Sequence, residues 1–261
     1  DFTSANYSKR KDLRHTNYRL DLKVAPGIMY HSDHYAIGFS YIFSKNSESV
    51  SAEEIGTAAT PYYAFLDKGL MYGAYEAWSG SGVHLSESGI NGFPIKELSH
   101  GAAVQAQWGS LYGDVEYLHS SGTAGEKEVI WFKFPAHRIT SHLRYRFAKG
   151  STEHFLRINL SWSRQTNDEN EISNGITTTH VYGSNRIFER KALSVQPEYE
   201  LIAPKGELRV GAEISSFKSM TTQMYPYVAS QTMTCGRVYA SGVLHAGRFD
   251  VKAAASLSIG D

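Results

Sequence analysis

Three kinds of residue group could do chemistry, and the sequence holds the first and the third of them. The first is HSDH, where His31, Asp33 and His34 lie close enough to suggest an imidazole–carboxylate metal site. A closed metal site needs further ligands, and the sequence assigns none. Asp and Ser also bond their own backbone in tight turns, so a polar hairpin turn is the favoured reading and no metal or other cofactor is expected. The second group would be a catalytic nucleophile and its base. No G-x-S-x-G, H-E-x-x-H or P-loop pattern occurs. None of the 11 histidines stands at a spacing that selects a partner, so no catalytic residue is named and no enzyme is expected.

The third group is charge on alternate positions. Arg138, Arg144 and Arg146 share one parity of RITSHLRYRF and its flank, with His142 among them, and Arg157 takes the matching place in EHFLRINLSW. Glu198, Glu200, Glu207 and Glu213 occupy the same face of the following pair of segments, with Arg209 between them. Two readings stay open. Across a water-filled lumen such charges set up a field that orients a polar solute. Alternatively they pair into salt bridges that stiffen or plug the interior.

These residues need strands to place them. In EHFLRINLSW, His154, Leu156, Ile158, Leu160 and Trp162 alternate with Phe155, Arg157, Asn159 and Ser161, a period of two. The same alternation runs through TNYRLDLKV and YAIGFSYIF, AAVQAQW and DVEYLH, KALSVQPEYEL and ELRVGAEIS, and GRVYASGVL and RFDVKAAASLSI. That makes ten strands in five hairpins, about 8 to 13 residues each. Turns inside pairs are short (HSDH, GSLYG, AKGST, IAPKG, HAG). Segments between pairs, such as NDENEISNGITTTH, KSMTTQMYPYVASQ and residues 46–100, are long and polar. Within 46–100, SAEE offers a helix start with Ser51 as N-cap and Glu54 three positions on, and PYYAFLDKGLMYGAYEAW offers aromatics that could contact a sugar or partner, or fold over a barrel mouth.

A short–long rhythm of connections and long strands fit an antiparallel up-and-down transmembrane β-barrel. Tyr18, Tyr35, Tyr145, Phe147 and Trp162 near strand ends fit an aromatic girdle. Phe39, Tyr41, Leu143, Leu156, Ile158 and Leu160 are then expected to face lipid. A soluble β-sandwich is the other all-β reading.

Composition removes several classes. With 26 basic and 26 acidic residues the net charge is zero, unlike a basic nucleic-acid binder. The single cysteine, Cys235, excludes an internal disulfide framework. No apolar run reaches the length of a membrane helix, which says nothing about a barrel.

NYRLDLKVAPGIMY, YAIGFSYIFSKNSESVSAEEIGT, FLDKGLMYGAYEAW and EVIWFKFPAHRITSHLRYRF resemble an uncharacterised outer-membrane β-barrel family of Gram-negative bacteria. The resemblance implies an outer-membrane location and a mid-sized barrel of unassigned substrate, and carries over no site residues. The expected function is passage or binding of a polar small molecule or glycan through a charged lumen. A closed barrel whose long loops bind an outer-membrane protein or other partner is the competing function. Strand directions lead to a further expectation, an incomplete barrel. DFTSANY reads as the end of an ascending strand, at least twelve strands are needed in all, and residues 1–10 should not pair with 249–260.

Overall fold

The computed structural model describes residues 2–8, 14–53, 62–69, 72–78, 85–86, 89–91, 95–126, 129–174, 179–224 and 227–261. Its strands in chain order are β1 (Phe2–Ser8), β2 (Arg14–Val24), β3 (Gly27–His31), β4 (Tyr35–Glu53), β5 (Tyr62–Gly69), β6 (Tyr72–Trp78), β7 (Leu85–Ser86), β8 (Gly89–Asn91) and β9 (Ile95–Trp108). There follow β10 (Leu111–Glu126), β11 (Val129–Lys133), β12 (Ala136–Lys149), β13 (Thr152–Asn174), β14 (Thr179–Ala203), β15 (Gly206–Met224), β16 (Tyr227–Ala246) and β17 (Phe249–Gly260). β5 and β6 form a separate hairpin, and the others join one 15-stranded sheet.

The sheet is an antiparallel meander in which each long strand pairs with its neighbours in sequence, from β1 at one edge to β17 at the other. The all-β, up-and-down fold expected from alternation is therefore the observed one. Among the described residues β1 pairs with β2 alone and β17 with β16 alone, so these two edges are not joined to each other.

Prolines divide two strands without ending them. Pro26 separates β2 from β3, yet both pair with β4, and Tyr41 N–H donates to the Pro26 carbonyl at 3.0 Å. Pro135 separates β11 from β12, with Thr166 N–H on its carbonyl at 3.0 Å. Within β14, Pro197 pairs with Ile158 on one side, and the ladder to β15 breaks off between Val195 and Glu198. A residue without an N–H cannot serve a ladder on both sides. The short turns are closed by glycines in the left-handed region, Gly109 (φ 54), Gly150 (φ 63) and Gly247 (φ 66), each first in a two-residue loop.

Strand length departs from expectation. β13, β14 and β15 run for 23, 25 and 19 residues, so NDENEISNGITTTH and KSMTTQMYPYVASQ are mostly strand and not long loops. These polar ends alternate too weakly to announce strands in sequence, but the ladder continues because each backbone group finds its partner across the hairpin. In the region taken as a loop over 46–100, residues 46–53 complete β4 and 95–100 begin β9. Ser51 to Glu53 pair with β2 and β8 as strand, which removes the helix start, and Glu54 lies outside the described residues. The aromatic-rich stretch after it is the β5–β6 hairpin, with Tyr62 opposite Trp78.

The side chains separate into two faces. One carries exposed large apolar residues: Tyr35, Ile37, Phe39 and Tyr41 on β4, Leu143, Tyr145 and Phe147 on β12, and Leu156, Ile158 and Leu160 on β13. On β13 this stripe spans His154 to Trp162, roughly 27 Å along the strand. Among the described residues only Ile42, Ala124 and Ile187 are buried apolar side chains. A soluble sandwich buries its apolar face between two sheets. Here that face is uncovered, so the sandwich reading is not the observed architecture.

Candidate functional site

The opposite, polar face carries the charges singled out by sequence. Register sets them out. Arg144 lies directly opposite Arg157, Arg157 opposite Glu198, and Glu200 opposite Arg209. Two like charges side by side are unfavourable, and the arginines resolve this by turning apart. The Arg144 guanidinium stacks on the Tyr112 ring, 5.4 Å from its centroid. Arg157 reaches the other way and donates to Glu198 at 2.9 Å and to Glu200. Arg209 donates to Glu200 at 2.6 Å and lies 3.6 Å from Glu198. Two arginines thus bridge two glutamates across β13, β14 and β15.

The Glu200 residue is only 5% exposed, the most enclosed member of this group. A carboxylate so enclosed is tolerated because two guanidinium groups satisfy it. The Glu198 carboxylate accepts a further hydrogen bond from the Tyr239 hydroxyl at 2.8 Å. Gln196 donates to that same hydroxyl at 2.8 Å and accepts from Asn159 at 3.4 Å. The result is a polar chain running from β13 to β16.

The remaining arginines of the set stand elsewhere. Arg138 pairs with Glu116 on β10 at 3.4 Å, and Arg146 with Glu153 across the β12–β13 turn at 2.5 Å. Glu213 accepts from the Ser194 hydroxyl at 3.1 Å. The sequence placed a basic hairpin beside an acidic one. The structure joins Arg157, Glu198, Glu200 and Arg209 into one charge-balanced cluster and leaves Arg138 and Arg146 in local pairs.

Sequence reading passed over Tyr112, Gln196, Arg237 and Tyr239. Their signal was parity: each falls on the polar face of its strand, but register was needed to bring them to the network. Arg237 lies over the Tyr239 ring, 5.6 Å from its centroid. Among the described residues neither Arg144 nor Arg237 makes an ion pair.

Cavities open on this face. One of about 420 Å³ is lined by Gln196, Glu198, Arg209, Arg237, Tyr239 and Ser256, among others. A neighbouring one of about 380 Å³ shares Arg209 and adds Glu200, Glu207 and Lys252. A third of about 280 Å³ is bounded by Tyr112, Asp114, His142, Arg144, Arg157 and Asn159. The HSDH segment forms the β3–β4 turn, closed by Ser32 N–H donating to the Tyr35 carbonyl at 2.8 Å. Among the described residues no three His, Cys, Asp or Glu side chains group as metal ligands.

Gly211 is what lets Tyr239 lie across β15. A Cβ there would come within 2.4 Å of the tyrosine Cζ and hydroxyl oxygen. Gly211→Ala is expected to push the ring off Glu198 and to destabilise the fold by about 1–3 kcal/mol, the usual cost of overpacking. Denaturant titration of the two proteins checks it. An unchanged midpoint would mean that Tyr239 is free to move.

Over residues 1–259 the chain matches the model of a family of unknown function, DUF6850. The chain belongs to that family. No curated protein matches it. Two solved structures overlap it loosely. One is the siderophore receptor PiuA from Acinetobacter baumannii, with 10% identity, a TM-score of 0.38, and coverage of 92% of this chain and 48% of that one. The other is the beta domain of the Bordetella autotransporter BrkA, with 8% identity, a TM-score of 0.34, and coverage of 100% and 90%. The chain spans about half the length of the receptor, at 48%. The functional reading therefore rests on the chain's own residues.

Proposed function

We propose that this sheet is the wall of a bacterial outer-membrane β-barrel whose polar face lines an aqueous lumen that passes or binds a polar solute. The observation that carries this is the division of single strands: Leu156, Ile158 and Leu160 stand exposed on one face while Arg157 is held by Glu198 and Glu200 on the other. Lipid accepts an uncovered apolar face, and a wet lumen accepts the charges. Phe39, Tyr41 and Leu143 then face lipid with them.

The cluster of Arg157, Glu198, Glu200 and Arg209 is neutral overall and acts as a brace. Arg144 and Arg237, held on tyrosine rings beside two of the cavities, keep their charge facing the space. Such a lumen favours anionic or strongly polar solutes, small molecules or glycans. Neutralising Arg144, Arg146 and Arg157 together is expected to shift the reversal potential in a planar bilayer toward cations. An unshifted potential in a folded, conducting triple variant would take these residues out of the pore.

A second reading has its own observation. The β5–β6 hairpin, inserted between β4 and β9, lies against β14 and β15, on strands far from its own origin. A hairpin so placed can cover the opening, which suits a closed barrel that binds a partner through its loops. Stepwise single-channel conductance supports the open lumen, and its absence from folded protein in the bilayer supports the closed one.

A further inference from the structure

Strand register brings together a set of residues that are scattered in sequence. His100, His119, His137, Arg164, Lys191 and Lys218 are successive partners across β9, β10, β12, β13, β14 and β15. All lie on the apolar face, one step beyond its stripe on the side away from the short turns. The adjacent row toward those turns contains Tyr117, Ile139, Trp162 and Leu193. The face therefore changes along a line from greasy to polar, with imidazoles on β9, β10 and β12 and cations on β13, β14 and β15.

At the β13–β15 end this line is strongly basic. Adjacent strands lie about 4.8 Å apart, so Arg164, Lys191 and Lys218 fall within about 10 Å. One carboxylate stands against them: Glu189 accepts from Arg164 at 2.8 Å and lies 3.3 Å from Lys191. The next carboxylate along, Asp168, is taken by Arg186 at 3.0 Å. Lys218 has no carboxylate partner among the described residues. Three cations against one carboxylate leave a surplus of two positive charges. The cations are open to the outside, with the Arg164 and Lys191 side chains 41% and 51% exposed and that of Glu189 only 16%.

A net positive patch at the edge of an apolar face is complementary to one kind of partner, a lipid whose acyl chains lie on the stripe and whose anionic headgroup lies at its border. We propose that Arg164, Lys191 and Lys218 form a binding site for the phosphate-bearing headgroup of a membrane lipid, on the leaflet away from the short turns. Trp162 and Leu193, one row below, would contact the first carbons of its chains. The proposal rests on the membrane reading above.

The test uses the full chain. Insertion into phosphatidylcholine bilayers is measured first, because failure of the wild type to insert overturns the membrane reading and this site together. Native mass spectrometry from detergent then follows retention of dioleoyl phosphatidic acid against dioleoyl phosphatidylcholine. The wild type should retain phosphatidic acid about 10- to 100-fold more tightly than Arg164→Gln/Lys191→Gln/Lys218→Gln, from the usual contribution of a basic residue at an anionic surface. Lys149→Gln/Lys205→Gln, at the opposite end of the strands, should match the wild type. Glu189→Gln should tighten retention, since it removes the one opposing charge. If the triple variant fails to fold, Lys218→Gln and Glu189→Gln must still move retention in opposite directions. Equal retention by inserted wild-type and variant proteins would overturn this site alone. So would displacement of the lipid by inorganic phosphate at equal concentration, which would mark a site for free phosphate.

Discussion

Leu143→Arg is expected to reduce the free energy of folding into a bilayer by about 2–4 kcal/mol, the cost of an arginine on the lipid face near the midplane. Leu143 is 44% exposed and pairs with Ile158, itself 45% exposed, in the middle of the apolar stripe on β12 and β13. Among the described residues these exposed apolar side chains are left uncovered, so the surrounding solvent must be one that accepts them. Ser161→Arg is the matched control. Ser161 lies on the other face between Thr140 and Ser194. An arginine there enters the polar side and should cost less than about 1 kcal/mol. Both values come from denaturant titration of folding into phosphatidylcholine vesicles. Tolerance of Leu143→Arg with rejection of Ser161→Arg would invert the faces and remove the membrane reading.

The same pair of strands shows what could be read from sequence. Leu156, Ile158 and Leu160 alternate with Arg157, Asn159 and Ser161, and a period of two is sufficient to assign strand and faces. The meander followed from the short Gly-containing turns, which the left-handed Gly109, Gly150 and Gly247 now explain. The far halves of β13, β14 and β15 were not legible. Their residues, such as Asn167, Asn170 and Thr221, are polar on both faces, and in sequence this is indistinguishable from a loop. Only the ladder with the neighbouring strand identifies them. Parity placed Arg157, Glu198, Glu200 and Arg209 on one face. It could not say that Arg157 turns toward β14 while Arg144 turns toward Tyr112, because that choice depends on which residue stands across the ladder. Arg164, Lys191 and Lys218 were invisible for the same reason: they are 27 positions apart in the chain and adjacent only through register.

Glu200 is the position where one substitution should disturb both stability and selectivity. Its carboxylate accepts from Arg157 and, at 2.6 Å, from Arg209, and the residue is 5% exposed. Glu200→Gln keeps the shape but removes the charge that holds two guanidinium groups in place. Breaking a fully enclosed pair costs about 3–5 kcal/mol. Here the Arg157 and Arg209 side chains are 26% and 48% exposed, so water recovers part of that, and a loss of about 2–3 kcal/mol is expected. The lumen also gains net positive charge, and the reversal potential should move toward anions. Arg157→Gln should move it toward cations. Combining the two restores neutrality, so the double variant should lose less stability than the two single losses added together, as contacting residues do. Strict additivity, with no change in reversal potential for either single variant, would show that the cluster neither braces the wall nor faces the conducting path.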